Sequence, residues 1–471
     1  MKTNAKTNAG KVKKGVPLLA LLLCAALLTG VFAACNRKKS EESKPPAESK
    51  PATDALVIRL IHPNAAQESL WESLAADYKA QTGVTILPEY RSDYTERLKE
   101  RLGAAEPPTI FLLSSHRDYS LYKDHLADLS ESNLAAHLLD RDLALTAESK
   151  IIGLPAGIEA FGIIYNKAVL DQYFALTDKA SDAAKAEDVT SFAKLETLAK
   201  DLTAKKVALG IDGAFAPVSL KEGEADRWSG QLLSVPLAYE YRNGNVDLTG
   251  SAVNEITFRY ADNYRKLFDL YTANSTLAAD KLETVSYQDA ADAFAAGKCA
   301  MVQGDTALWG RVSTAAALKR DDLGFLPLYM GFDDEATQGL TVSVTQYFAV
   351  NAKAPEDEQA AAAAFLTWLY SSEKGKDFVS NQLGAIAPYD TFTQAELPDN
   401  PLARAAVAWL TREGVTAVVA PVALIPGEEF RNTVVAAGLK GYAAGTTAWD
   451  KFKADVISGW KSFSEKIKDA A

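Results

Sequence analysis

The sequence predicts an α/β fold for the folded body of the chain, which starts near Ala55. Short apolar segments alternate with amphipathic helical patterns along this body, and that alternation is typical of βαβ units in a mostly parallel sheet. Hydrophobic residues make up 48% of the 471 residues, an ordinary share for a soluble protein. About 417 residues follow residue 54, enough for two or three lobes with substantial cores.

The elements of the body follow from hydrophobic periodicity, taken in chain order. Residues 56–61 (LVIRLI) have the composition of a strand, and the polar turn His62-Pro63-Asn64 follows them. In residues 67–81 the apolar side chains recur at helical spacing. The same criteria predict strands at 84–87, 109–113, 207–211, 323–328 and 342–350, and helices at 94–102, 118–129, 192–203, 255–271, 289–296, 356–370, 374–383, 402–411 and 447–468.

Residues 1–34 have the features of an export signal. Three lysines between residues 11 and 14 precede the apolar run 16–34. Positive charges at this place hold the N-terminus on the cytoplasmic side while the apolar run enters the membrane. The run closes on Phe32-Ala33-Ala34-Cys35, which resembles the cleavage box of bacterial lipoproteins with Phe32 in the place of leucine. The resemblance implies a lipoprotein signal peptide over residues 1–34 and an acylated, palmitate-bearing Cys35. An uncleaved anchor is the alternative, since 19 mostly apolar residues can span a bilayer.

Residues 35–54 are expected to form a disordered tether, because they contain almost no large apolar side chains that would offset ordering entropy. Loss of the five leader lysines would take the formal charge from −11 to −16, which argues against a nucleic-acid partner. Cys24 lies in the leader and Cys35 would be acylated, so Cys299 remains as a single thiol. Its apolar neighbours predict a buried side chain rather than a reactive nucleophile.

Three segments of the body resemble one protein family. The segment GLPAGIEAFGIIYNKAVL (153–170) is similar to the family's first crossover, which ends in a Tyr-Asn-Lys triplet. The segment FAAGKCAMVQGDTALW (294–309) is similar to a second family stretch, and residues 347–388 are similar to its late helix pair. The segments occur in the family's order. The chain thus resembles the family 1 extracellular solute-binding proteins of ABC importers, in the branch that includes maltose-binding protein.

That resemblance implies a two-lobe, periplasmic-binding-protein-like (type II) fold with hinge strands between the lobes. Hinges are then expected near residues 157–162, 297–302 and 340–349. The implied organisation is a first lobe of residues 55–157 and 298–344, a second lobe of residues 158–297 and 345–430, and closing C-terminal helices over residues 431–471.

The resemblance also implies a function. The protein would capture an extracellular solute, a sugar or oligosaccharide, between its lobes and deliver it to the permease subunits of an ABC transporter. It would act as a monomer without enzymatic activity, cofactor, catalytic residue, metal site or nucleic-acid partner. It would be held on the extracytoplasmic side of the cell membrane through the lipid on Cys35.

Eight residues are candidate solute contacts, because sugars are bound by aromatic rings and by charged or amide groups. The maltose-binding branch has a ligand-contacting glutamate at the place of Glu159, and the family often presents an aromatic where Trp309 follows Asp305. Asn64, His116 and Arg117 follow predicted strands, and open α/β sheets bind ligands at such strand ends. Trp228 and Tyr239 are candidates as aromatics of a turn-rich region.

Each of these candidates has a purely structural alternative. Trp309 would serve lobe packing, and Glu159 would form an ion pair at the hinge. His116 and Arg117 would belong to a solvated loop, and Trp228 would lie in a core. The residue types alone leave these alternatives open.

Two other function classes compete with sugar capture. The same fold binds non-sugar solutes such as ferric iron, a polyamine or a sugar phosphate, although the chain has no adjacent tyrosine pair of the kind that iron binders use. An exported hydrolase would need only a pair of carboxylates. The chain has no G-x-S-x-G, no H-E-x-x-H and no phosphate-binding Gly-Lys-Ser/Thr loop, and its four histidines lack metal-ligand spacing.

Overall fold

The structure, a computed structural model, describes residues 56–470. The expected signal peptide, the tether and Cys35 lie outside these residues. Within residues 56–470 no helix is both long enough and apolar enough to cross a membrane.

Ten strands of the described chain form one continuous mixed sheet. Its order is β2-β1-β3-β9-β5-β7-β6, with β10 beside β9 and with β4 and β8 beside β5. The strands are β1 (Val57–His62), β2 (Thr85–Tyr90), β3 (Ile110–Leu113), β4 (Leu145–Ala147), β5 (Lys150–Asn166), β6 (Gly213–Phe215), β7 (Cys299–Asp305), β8 (Leu323–Leu326), β9 (Gln338–Val350) and β10 (Thr416–Val419).

The sheet is less parallel than the sequence predicts. The β1–β2, β1–β3, β6–β7 and β9–β10 pairs are parallel, as the βαβ pattern requires. The two long strands β5 and β9 instead run antiparallel to each other, and β3, β7 and β8 also pair with them in antiparallel fashion. The reason is that β5 and β9 carry the chain across the molecule in opposite directions.

Helices cover the sheet. The α-helices are α1 (Glu68–Thr82), α2 (Tyr94–Leu102), α3 (Tyr119–Tyr122), α4 (Lys167–Phe174), α5 (Phe192–Ala204), α6 (Lys206–Leu209), α7 (Leu233–Asn243), α8 (Ala261–Ala273), α9 (Tyr287–Ala295), α10 (Leu308–Val312), α11 (Glu356–Ser371), α12 (Glu373–Asp377), α13 (Pro401–Leu410), α14 (Gly427–Phe430), α15 (Ala437–Ala443) and α16 (Trp449–Ala470). Three π-helical segments adjoin them, at Arg227–Leu232, Phe378–Gln382 and Arg431–Ala436.

Local sequence signals explain several helix ends. Ser286 and Asp289 form a reciprocal capping box at the start of α9, and this satisfies backbone N–H groups that have no helical partner. The chain leaves α9 through Gly297 at φ +70°, a conformation that glycine adopts without strain. Helix α9 and strand β7 therefore follow each other in a tight turn.

Three predicted elements differ from the structure. Residues 118–129 form only a short helix and a 3₁₀ turn, because the apolar pattern there serves an irregular segment packed on the sheet. Residues 207–211 are helical at first and not a strand, and β6 follows at Gly213–Phe215. Residues 255–260 are not helical, and α8 starts only at Ala261.

The sheet divides into two lobes where β5 and β9 cross between them. In the first lobe, β2, β1 and β3 are successive neighbours, and β3 pairs with the carboxyl half of β9 (Tyr347–Val350). In the second lobe, β7 and β8 pair with the carboxyl half of β5 (Phe161–Asn166). From this strand pairing we propose a first lobe of residues 56–157 and 345–392 and a second lobe of residues 158–344 and 400–470.

The lobe bounds that we propose from this pairing differ from those expected from the sequence. Residues 298–344 were expected in the first lobe, but β7 and β8 are strands of the second-lobe sheet. Residues 345–392 were expected in the second lobe, but Phe365 of α11 packs on Tyr78 of α1, and Lys374 forms an ion pair with Asp77. The expected hinge at 297–302 lies inside the second lobe, because the chain returns to the first lobe through β9 and not through β7.

The closing segments belong to the second lobe. The indole of Trp409 in α13 donates to Phe325 O at 3.1 Å, and Trp460 in α16 donates to Val253 O at 2.9 Å. Trp460 is fully buried. The C-terminal helices thus complete the core of this lobe.

Candidate functional site

Strand ends of both lobes lie beside the crossing of β5 and β9. In the first lobe Leu113 of β3 pairs with Tyr347, which β9 reaches soon after its crossing, so the loop after β3 lies at the cleft edge. In the second lobe Asp305 at the carboxyl end of β7 pairs with Phe161, which β5 reaches soon after its own crossing. We therefore take the region between the lobes at these strand ends as the candidate solute cleft, since open sheets bind ligands at the carboxyl ends of their strands.

Asp305 is the centre of a polar cluster on the second-lobe side of this cleft. Its side chain is 6% exposed, and its Oδ2 accepts a hydrogen bond from Gln231 Nε2 at 2.9 Å. Arg227 Nη2 lies 3.3 Å from the same oxygen, and the backbone N–H of Ala307 donates to Oδ1 at 2.8 Å. Three donors thus compensate the buried carboxylate.

Glu159 completes an acid pair with Asp305. Burial, as the larger cause, and the negative charge of Asp305 together raise the pKa of Glu159 to about 7, while the charge of Arg227 opposes the shift. A protonated Glu159 donates a hydrogen bond to Asp305, and an ionised Glu159 is an acceptor. The pair therefore changes its hydrogen-bonding character near neutral pH.

Arg227 is held by stacking as well as by charge. Its guanidinium carbon lies 3.3 Å from the ring centroid of Tyr287, the first residue of α9. The Tyr287 hydroxyl and Arg227 Nε are buried and have no hydrogen-bond partner within residues 56–470. Two buried polar atoms beside the acid pair therefore lack a partner among the described residues, and such atoms are uncommon in folded proteins.

A chain of amides and a phenol fixes Gln231. Gln303 Nε2 donates to Gln231 Oε1 at 3.2 Å, and the fully buried Tyr271 donates to Gln303 Oε1 at 3.1 Å. This chain directs the amide nitrogen of Gln231 towards Asp305. Buried residues of the core thus fix the orientation of the Gln231 side chain in the cluster.

Two π-helical segments form the wall behind the cluster. Arg227–Leu232 packs against Arg431–Ala436, and Arg431 Nη1 lies 3.4 Å from Asp226 Oδ1. Such single π-helical turns are rare and occur frequently at functional sites. Here they bring the segments that carry Arg227 and Arg431 into contact.

One protein-family model matches most of the chain. The model for bacterial extracellular solute-binding proteins matches residues 73–407. The chain belongs to this family. It is a solute-binding protein of the ABC-importer type, which binds a small solute outside the cytoplasm and delivers it to a permease without chemical conversion. The expected family and the expected lack of enzymatic activity are confirmed.

Solved structures share the fold of this solute-binding protein. A family 1 extracellular solute-binding protein from Bifidobacterium longum subsp. infantis is 17% identical, with a TM-score of 0.63 over 86% of this chain and 99% of the other. RafE from Streptococcus pneumoniae in its apo form is 14% identical, with a TM-score of 0.60 over 88% and 100%.

A third similar structure is the bacterial solute receptor AcbH, described as having an exclusive preference for β-D-galactopyranose. It is 13% identical, with a TM-score of 0.64 over 88% of this chain and 99% of the receptor. A search of curated protein sequences found no match. The structural similarity confirms the two-lobe fold expected from the sequence.

The solute-binding protein brings two of the eight candidate contacts together, Glu159 and Asp305. Trp309 is elsewhere: its half-buried ring packs beside the core, and the Arg320 guanidinium lies 5.8 Å from it. Asn64 is exposed after β1, and its Oδ1 accepts the Ala66 N–H at 3.0 Å to cap a 3₁₀ turn. In this structure Asn64 and Trp309 each have a local structural role outside the cluster.

Trp228 and Tyr239 are corrected to core positions. Trp228 is fully buried, and its indole N–H donates to Val218 O at 3.0 Å. Tyr239 is 2% exposed, stacks on Phe332 at 3.6 Å and contacts Gln338 Oε1 at 3.1 Å. Neither ring offers free surface to a solute in this structure.

His116 and Arg117 lie at the cleft edge of the first lobe but face protein groups. Burial lowers the pKa of His116 to about 4, and the charge of Asp247 in the second lobe opposes that shift. Arg117 reaches across to the second lobe, where it is hydrogen-bonded to Asn254, Leu424 and Ser464. These residues therefore connect the lobes.

Sequence reasoning missed Arg227, Gln231 and Tyr287. A signal existed for Arg227, because it directly precedes the aromatic candidate Trp228 in the same turn-rich region. Only the helical register decides that Trp228 points into the core while Arg227 reaches Asp305. Within residues 56–470 no group of three or more His, Cys, Asp or Glu side chains is placed to hold a metal ion.

Proposed function

We propose that this protein is a lipid-anchored receptor that captures a sugar or oligosaccharide in the cleft between its lobes. The observation that carries this proposal is the cluster of Glu159, Asp305, Arg227 and Gln231 beside two unpartnered polar atoms. Carboxylates, guanidinium groups and amides are the partners that sugar hydroxyl groups use. In this proposal Glu159 accepts from a solute hydroxyl, and Arg227 and Gln231 hold the acid pair in place.

The similar structures support the choice of a carbohydrate. AcbH is described by its preference for a galactopyranose, and another match, 18% identical with a TM-score of 0.52, is a chitin oligosaccharide binding protein. We carry the sugar class to this chain as a proposal, because these structures are less than 25% identical to it.

A cationic solute such as a polyamine is the second candidate, and the acid pair favours it. An ammonium group would compensate both carboxylates, whereas a sugar phosphate would add negative charge beside them. Ferric iron is disfavoured, because the residues that the structure describes offer no cluster of metal ligands.

The test is thermal unfolding of the protein lacking residues 1–35 in the presence of galactose, maltose, chitobiose and xylobiose. A sugar at 100 times its dissociation constant adds about 2.7 kcal/mol to the free energy of unfolding and raises Tm by several degrees. Glu159→Gln should remove most of that shift, and Glu131→Gln, an exposed matched control, should keep it.

Spermidine, glucose 6-phosphate and ferric citrate form the other arms of the experiment. A saturable shift with spermidine alone would replace the sugar by a cation. A shift with none of the sugars at millimolar concentration would contradict the carbohydrate proposal while leaving the family assignment intact.

A further inference from the structure

One side chain of the first lobe forms a bridge to three separate segments of the second lobe. Arg117 lies in the loop after β3, and its Nη1 donates to Asn254 Oδ1. Its Nη2 donates to the carbonyl of Leu424 at 3.0 Å and contacts Ser464 Oγ at 3.4 Å. These acceptors belong to a 3₁₀ turn, to the segment after β10 and to α16.

Hydrogen bonds within the loop hold the backbone around Arg117 in place. Ser115 Oγ accepts the backbone N–H of Arg117 at 3.2 Å. The Asp118 carboxylate accepts the N–H groups of Ser114 and Ser115 at 2.6 and 3.1 Å, which closes a reciprocal capping box. The loop backbone is therefore already ordered, and it loses little conformational entropy when the guanidinium binds the second lobe.

The acceptors in the second lobe are fixed as well. Ser464 is fully buried, and the neighbouring Val253 O accepts the buried indole N–H of Trp460 at 2.9 Å. The chain after Asn254 is tied down by the Glu240 carboxylate, which accepts the N–H groups of Thr257 and Arg259 at 2.6 and 2.8 Å. Between them Phe258 is buried at φ +48°, a strained conformation that the surrounding contacts hold.

From this geometry we infer that Arg117 is a latch that holds the two lobes together before a solute enters. A hydrogen bond is lost when donor and acceptor lie more than about 3.5 Å apart. A lobe rotation that moves Arg117 by a few ångströms relative to the second lobe therefore breaks all three contacts at once. Burial lowers the pKa of Arg117, although a guanidinium stays charged throughout the physiological range. The latch therefore exchanges charge-assisted bonds within the protein for bonds to water when the cleft opens.

The latch sets how often the cleft is open to a solute. When only a fraction of a protein is in the state that admits ligand, the apparent affinity and the association rate fall by that fraction. Arg117 thus acts as a positioning residue for solute capture, and it need not contact the solute. This consequence rests on the proposed function, whereas the latch itself rests on the two-lobe fold.

The experiment measures the distance between the lobes without any solute, so its failure is distinct from failure of the sugar proposal. Spin labels are placed on the exposed positions Glu72→Cys in α1 and Lys200→Cys in α5 of the full mature protein in detergent, and pulsed dipolar spectroscopy gives the distance distribution. The parent should show mainly one lobe–lobe distance. Arg117→Ala should raise the ratio of open to closed populations by at least about tenfold, as expected from the loss of several charge-assisted hydrogen bonds.

Two further variants separate a latch from general damage. Arg117→Lys, which keeps the charge and one point of contact, should restore part of the closed population. Asn254→Ala removes an acceptor from the opposite lobe and should open the cleft in the same direction, so the test holds even when Arg117→Ala folds poorly.

Arg97→Ala is the matched control, because its guanidinium pairs locally, with Asp93 just before α2 and with Glu100 in α2. It should leave the distance distribution unchanged. Equal distributions for the parent, Arg117→Ala and Asn254→Ala would overturn the latch, as would an equal change in Arg97→Ala.

Discussion

Glu159 is the residue at which the cleft can change its charge. Its carboxylate faces the already compensated Asp305, and burial together with that negative charge raises its pKa to about 7. The unfolded chain has no such environment, so its Glu159 ionises near pH 4.5. The folded state thus binds this proton more tightly than the unfolded state, and stability falls as pH rises from about 4.5 to about 7.

Glu159→Gln should therefore stabilise the solute-free protein at pH 8 and have little effect at pH 4.5. The expected difference between the two pH values is on the order of 1–3 kcal/mol, because the variant has no charge to bury. Urea unfolding at both pH values measures it. The same change at both pH values, or an equal effect of Glu131→Gln, would contradict the assignment.

His62 has the opposite pH dependence. The side chain is 1% exposed at the end of β1, and neither ring nitrogen has a hydrogen-bond partner among residues 56–470. Its ring centroid lies 5.8 Å from that of Trp71 and 6.1 Å from that of Tyr90. Burial lowers the pKa of His62 below the 6.5 of the unfolded chain, so stability is lost as pH falls through 6.5.

His62→Phe should remove that loss. Relative to the parent, the variant should gain stability when the pH is lowered from 7.5 to 5, because phenylalanine has no proton to take up. Urea unfolding at the two pH values is the measurement, with the exposed His137→Gln as control. A gain that is the same at both pH values would argue for packing alone.

At the scale of elements, the close approach of β7 and α9 positions the site. Gly304 in β7 leaves no room for a side chain, since an added Cβ would lie 2.7 Å from the Tyr287 hydroxyl and 3.2 Å from Ile164 Cδ1. Tyr287 in turn supports the guanidinium of Arg227 through its ring. A strand, a helix and a π-helical turn thus act as one unit in placing Arg227.

Gly304→Ala should destabilise the protein by about 1–3 kcal/mol, because the added methyl group overpacks a buried contact. It should also weaken solute binding through displacement of Tyr287 and Arg227. Gly310→Ala in α10 is the matched control, since its Cβ would have no atom within 4 Å. Urea unfolding that gives equal free energies for the two variants would contradict this account.

At the scale of the whole molecule, two long antiparallel strands join the lobes. Strand β5 carries the chain from the first lobe to the second, and β9 carries it back, with Glu159 opposite Ser343 in the crossing region. Because both strands continue into the sheets of the two lobes, a rotation at the crossing moves each sheet as a body. The acid pair and the Arg117 contacts both lie at the cleft that this rotation opens and closes.

The anchor proposed for the whole molecule is testable on its own. Cys35→Ser should block lipid attachment, so an intact cell should incorporate no palmitate analogue into the protein, while the parent is labelled and remains in the membrane fraction. Cys24→Ser, within the leader, is the matched control and should leave labelling unchanged. Equal labelling of parent and Cys35→Ser would point to an uncleaved apolar anchor.

The sequence by itself determined the α/β class, the family resemblance and many element bounds. Helix α2 begins and ends at the predicted residues, α5 and α11 extend one residue beyond their predicted ends, and α1 is shifted by one residue at each end. These features follow from local hydrophobic periodicity and from stop signals such as Gly83 at φ +78°. Glu159 and Asp305 were also named from sequence, because the family pattern extends over them.

Only the tertiary structure decided how the lobes share the chain and which side chains meet in the cleft. Local periodicity does not record that β9 and not β7 returns to the first lobe, since both are apolar strands of similar composition. Nor does it record that Arg227 faces Asp305 while its neighbour Trp228 lies in the core, because helical register depends on packing with distant segments. Arg117 and its acceptors are separated by more than a hundred residues in sequence, and only the packing of the two lobes brings them together.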